Sequence, residues 1–172
     1  MYKLFVPAQA VGANLVYFDL YNATGSTTAI VVDSIIPIVT GSTAVTGVVG
    51  LDLFLTRTSA VGTGGTAATA EGTSLTACTI SALTHNQPIN ASITARLTPS
   101  GGATAGAVLA WRAVYTEETN AGTYIQIVDM ARALYSDIPG IRVNEGTGIR
   151  VVQGSVASVG NIGFDVHFRR VT

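Results

Sequence analysis

Residues 89–98 alternate without interruption: Ile89, Ala91, Ile93, Ala95 and Leu97 fall on one side, and Asn90, Ser92, Thr94, Arg96 and Thr98 on the other. Side chains of a strand alternate between faces, so this pattern predicts a strand with one face buried and one wet. Val49, Leu51, Leu53 and Leu55 repeat it against Asp52 and Thr56. Ile162, Phe164, Val166 and Phe168 repeat it against Gly163, Asp165, His167 and Arg169. A chain written at period two cannot bury its apolar residues as helices.

Other segments are apolar on both faces: residues 14–21, 29–39, 107–116 and 123–134. Strands of that kind belong where a sheet is covered on both sides, by a second sheet or by a neighbouring subunit. Within the last of these, residues 128–135 also carry helix formers, but without a cap, and the strand reading is preferred. Residues 117–122 are expected to form one hairpin connection, and Asn144-Glu145-Gly146-Thr147-Gly148 to join residues 141–143 to residues 149–152. About eight to ten strands at the spacing of a sandwich or barrel result. The expected fold is all-β: a single antiparallel β-sandwich domain over residues 1–172, best described as an eight-stranded jelly roll. Residues 1–7 are expected either as an amino-terminal arm or as the first strand. The Gly/Thr/Ala stretches 62–73 and 99–106 are expected as surface loops.

Only 11% of the 172 residues are charged, against 48% hydrophobic, and the formal charge is -1. Ordinary soluble domains carry about 25% charged residues. No cationic field exists for duplex nucleic acid or an anionic membrane. No apolar run is long enough for a membrane-spanning helix, and an eight-stranded outer-membrane barrel would need aromatic girdles that 7% aromatic residues do not supply. Met1 to Pro7 offers one cation and a short apolar stretch, too little for a secretory signal.

Residues suited to catalysis are scattered. His85 and His167 are the only histidines and have no local ligand spacing, so neither a metal nor a nucleophile–base pair is expected. Glu117-Glu118 is the only adjacent acidic pair, and at a hairpin both face water. The glycines at 62, 64 and 65 lack the lysine and the strand-to-helix context of a phosphate loop. Asn22-Ala23-Thr24 and Asn90-Ala91-Ser92 match the glycosylation pattern by accident. Cys78, the single cysteine, reads as a packed thiol. Trp111 shares a face with Leu109, Ala113 and Tyr115 and is expected as a core or interface anchor. No enzyme, cofactor or metal is expected.

Residues 138–155, with Pro139-Gly140-Ile141 followed by Glu145-Gly146-Thr147-Gly148-Ile149-Arg150-Val151, and the alternating run 163–170 resemble the closing strands of small single-jelly-roll virion proteins of bacteriophages. The resemblance implies a capsid decoration or cement protein, seated on the major capsid protein at the capsid surface and often trimeric; related proteins are jelly-roll capsid subunits or parts of tail fibres. It transfers no active-site residue. A glycan-recognising receptor module is the other class that the loops leave open. Near-zero charge and a single lysine, Lys3, suit a surface covered by copies of the same chain or by a lattice. The expected contact residues are Tyr2, Leu4 and Phe5 in the arm, and Tyr17 and Tyr115 on the two-sided strands.

Overall fold

The computed structural model describes residues 1–40, 48–70, 76–83, 89–102, 105–117, 129–132, 140–158 and 160–171. These form twelve strands and no helix: β1 (Tyr2–Ala10), β2 (Val16–Asn22), β3 (Ala29–Thr40), β4 (Val48–Thr58), β5 (Thr66–Ala67), β6 (Thr69–Ala70), β7 (Thr79–Ala82), β8 (Ile93–Leu97), β9 (Ala105–Glu117), β10 (Ile141–Val143), β11 (Thr147–Gln153) and β12 (Asn161–Val171). Two six-stranded sheets result, the first ordered β10-β3-β12-β1-β7-β6 and the second β5-β8-β2-β11-β4-β9. Every pairing is antiparallel except β6 with β7.

Setting aside the short strands β5 to β8 exposes the winding. The first four strands pair with the last four in reverse sequence: β1 with β12, β2 with β11, β3 with β10 and β4 with β9. That is a long antiparallel hairpin rolled into two sheets, the jelly-roll order. The other four strands belong to the connection between β4 and β9 and widen both sheets on one flank. The expected sandwich is present, with twelve strands among the described residues.

Strand phase follows the sequence wherever long-range pairing is simple. On β12, Ile162, Phe164, Val166 and Phe168 are all fully buried, as are Leu51, Leu53 and Leu55 on β4. The sheets meet through aromatic rings: Phe164 lies 5.4 Å from Phe18 in an edge-on contact and 5.5 Å from Tyr17. Tyr2 stacks on Phe168 at 5.4 Å. Offset and edge-to-face pairs of this kind add about 0.5–1.5 kcal/mol each beyond area burial.

Four expectations are corrected. Residues 1–7 are no arm, because residues 2–10 are β1, bonded on both sides to β12 and β7. The strand expected from residue 89 begins at Ile93: the Asn90 side chain accepts from the Ser92 N–H, and Ile93 N–H donates to Asn90 O, closing a turn. The turn after β10 does not close a hairpin, since β10 pairs with β3 in the first sheet while β11 lies between β2 and β4 in the second. Residues 130–132 form a turn rather than a strand. Met130 is fully buried there, its N–H bonded to Ile35 O at 2.8 Å, while Asp129 accepts from Ile35 N–H and Ser34 Oγ. Of the expected connection over residues 117–122, residues 118–122 lie outside the described residues, as do residues 123–128 and 133–134 and His85.

Candidate functional site: the outer face of the second sheet

The outer faces of the two sheets differ in chemistry. On the first, β12 presents Asp165, His167 and Arg169 between Lys3 of β1 and Asp33 of β3. Lys3 Nζ lies 2.9 Å from Asp165 and Arg169 Nε 3.1 Å from Asp33. Phe5 shares this face, half-buried, with Lys3 Nζ 5.6 Å from its ring centre. Charges here are neutralised by neighbours, the arrangement of a solvated face; such exposed pairs contribute about 0–1 kcal/mol each.

On the second sheet, strand register assembles an apolar row. Trp111 of β9 lies opposite Phe54 of β4, Phe54 opposite Val152 of β11, and Val152 opposite Val16 of β2. Their chain neighbours Ala110, Leu53, Leu55 and Val151 point into the core. Trp111 is 54% exposed, and the other three are half-buried. A Cβ at Gly154 would come within 3.2 Å of the Phe54 ring, so the absent side chain leaves that ring room to lie against the backbone. Among the described residues the strand carrying Trp111 bonds only to β4, and Val108 on it is 59% exposed. Scattered exposed apolar residues are ordinary, but a contiguous row with a tryptophan at its end is the candidate contact surface of the described residues.

The adjoining row is polar and partly covered. Reading across, it runs Val108, Thr56, Arg150, Asp19 and Arg96. Asp19 is fully buried because the loop before β5 folds over it: Gly62 N–H donates to Asp19 Oδ2 at 2.6 Å. Only glycine fits at 62, since a Cβ would sit 2.3 Å from that oxygen and 2.7 Å from Pro99 Cβ. Burial raises the Asp19 carboxyl above its ordinary range, opposed by the N–H groups of Gly62 and Arg96 and by the charges of Arg96 and Arg150. Arg150 Nε donates to Thr56 Oγ1 at 3.2 Å and Arg96 Nη1 to Gly64 O at 3.0 Å.

The contact residues expected from sequence do not converge here. Tyr2, Leu4 and Tyr17 are at most 1% exposed, held in the inter-sheet core, so they cannot meet a partner. The Tyr17 hydroxyl donates to Gln153 Oε1, and burial pushes its pKa up to about 12. Phe5 lies on the opposite, charged face, and only the backbone of Tyr115, in β9, is described. Of the two readings of Trp111, core or interface anchor, the core one is overturned: the ring lies at the surface, its phase set by pairing with Phe54. Asn22 is fully buried with its amide nitrogen 2.7 Å from Thr28 O, closed to glycosylation. Cys78 is buried, and burial with the nearby Asp19 charge pushes its thiol up to about 12. Among the described residues no three His, Cys, Asp or Glu side chains gather as a metal site, and no helix is long and apolar enough to cross a membrane.

Fold and face together define a two-sheet β-sandwich with jelly-roll winding and, on the outer face of the second sheet, an apolar row beside a polar one. No family model, no curated protein and no solved structure matches the chain.

Proposed function

We propose that this chain is a non-enzymatic structural protein of a bacteriophage particle, a decoration or cement protein that binds the capsid surface and bridges adjacent major capsid subunits. The observation that carries the reading is the row Val16, Val152, Phe54 and Trp111, an apolar band on the outer face of the second sheet that nothing among the described residues covers. The resemblance of residues 138–155 and 163–170 to phage jelly-roll virion proteins supplies the kind of particle. Copies associate as a homotrimer on the capsid, each adding modest contacts that sum through multivalency, so that no single contact need be strong. The protein is made in the host cytoplasm and resides in the virion, with no role for nucleic acid, membrane, cofactor or metal.

Strand order favours one further reading, since jelly rolls also form shells: the chain is itself a capsid subunit. The two separate in one experiment. Capsids assembled without this chain and then mixed with purified protein take it up saturably if it is a decoration protein, and the loaded heads hold their DNA to higher temperature. Failure of any shell to form without it supports the subunit reading. Preformed heads that take up none of the protein and tolerate its loss refute both.

A further inference from the structure

Residues 59–65, between β4 and β5, cross the polar row of the second sheet as a strap. They are exposed along most of their length, and only Gly62, seated on Asp19, is buried. The one large apolar side chain of the strap, Val61, is 39% exposed, so little apolar burial holds it down. Its further ties are polar: Thr63 N–H donates to Gly101 O at 2.7 Å, Ser100 N–H to Thr63 O at 3.0 Å, and Arg96 Nη1 to Gly64 O. The turn it leans on begins at Thr98, a β-branched residue held at φ 45°, in the left-handed region that favours glycine.

Beneath the strap, Asp19 is only half satisfied. One carboxyl oxygen takes the Gly62 N–H, while the other, Oδ1, is buried with no hydrogen-bond partner among the described residues. An ionised carboxylate needs donors on both oxygens, and the strap shuts out the water that would supply them. The charged groups facing Asp19 are Arg96 on β8 and Arg150 on β11, and both favour its ionised form. The Cys78 thiol, pushed up to about 12, stays neutral through the acidic and neutral range. Residues 59–65 and 98–102 carry no titratable side chain. Burial outweighs the two guanidiniums, and the Asp19 carboxyl lies above its ordinary range.

We propose that residues 59–65 are a proton-operated strap, closed over neutral Asp19 and opening at the Gly62 contact when Asp19 ionises. The device belongs to this chain alone and does not depend on the capsid reading. Opening gives Asp19 water and loses a proton, so the open fraction rises with pH from about 4, the ordinary carboxyl value, and levels off above the closed-state value. Amide exchange followed by NMR, each rate divided by the intrinsic rate at that pH, reads the opening at the Gly62 N–H. Gly62 exchanges at least about a hundredfold faster than Val151 within β11, which marks an opening smaller than global unfolding. Its protection falls severalfold from about pH 4 to about pH 7, and Asp19→Asn makes it flat. In Gly62→Ala the added Cβ cannot seat against Asp19 Oδ2, the strap stays open, and the Asp19 carboxyl carbon resonance titrates lower than in the parent. Gly62 protection equal to that of Val151, protection unchanged with pH, a pH response unaltered in Asp19→Asn, or an Asp19 titration unmoved by Gly62→Ala overturns the proposal.

Discussion

Phe164→Ala removes the ring at the centre of the inter-sheet contact. Phe164 is fully buried on β12 in the first sheet, and its two ring partners, Phe18 and Tyr17, belong to β2 in the second. Truncating a buried phenylalanine costs about 3–5 kcal/mol, transfer and cavity together. Both ring contacts are lost at once, which places the expected cost in the upper half of that span. Against a total stability of about 5–15 kcal/mol, this is about a quarter or more. For a domain of this size each kcal/mol moves the melting temperature by about 2–4 °C, so a fall of about 8–20 °C is expected. Phe5→Ala is the control: the ring is half-buried on the outer face of the first sheet, and its loss removes part of one apolar contact and a weak Lys3 interaction. Its cost is about 1 kcal/mol. Melting both variants at one protein concentration, followed by circular dichroism, gives the comparison, because association shifts apparent stability. Equal shifts for the two would mean that the sheets do not meet through Phe164, and the arrangement of the core would be wrong.

Gly62→Ala should destabilise by about 1–3 kcal/mol through overpacking against Asp19 and Pro99, whereas Gly101→Ala, whose added Cβ meets only Thr63 Oγ1 at 3.5 Å, should be near neutral in the same urea titration. Asp19 carries a pH signature: its folded pKa lies above the unfolded value of about 3.9, so its contribution to stability is full below that value and is lost as pH rises through the folded pKa. Asp19→Asn removes that loss, and its stability relative to the parent should therefore climb across the acidic range; parallel curves from about pH 3 to about pH 7 would contradict the burial of an ionisable group there. Deleting residues 1–7 takes most of a strand from between β12 and β7, and the product should lack a cooperative melt. A folded deletion product would restore the arm.

Much of the fold is legible in the sequence, and the exceptions share one cause. On β12 and β4 the alternation of Ile162 to Phe168 and Leu51 to Leu55 states both strand and buried face, because each side chain has one sheet to pack on. Trp111 obeys the same alternation, yet nothing local says which phase faces inward; pairing with Phe54 decides it. Asp19 follows Tyr17 and Phe18 in a continuous buried run, and the residue that covers it, Gly62, is far along the chain. Turn chemistry around Asn144 and Gly146 fits a hairpin as well as a passage between sheets, since the hydrogen bond from Thr147 N–H to Asn144 O serves both. The expected contact residues fail for the same reason. Tyr2, Leu4 and Tyr17 look like sticky residues in a charge-poor chain, but the jelly roll consumes them internally and leaves Trp111, Phe54 and Val152 outside.

Trp111 is the only tryptophan in the chain, which makes it a reporter at one end of the proposed contact row. A protein labelled biosynthetically with fluorotryptophan and added to unlabelled capsids gives a single fluorine resonance from that position. The account predicts that, on saturating the particle, this resonance shifts and loses its broadening by a soluble paramagnetic quencher, because the outer face of the second sheet becomes covered. A bound protein whose Trp111 resonance keeps the position and quencher accessibility of the free chain would place the contact elsewhere and contradict it.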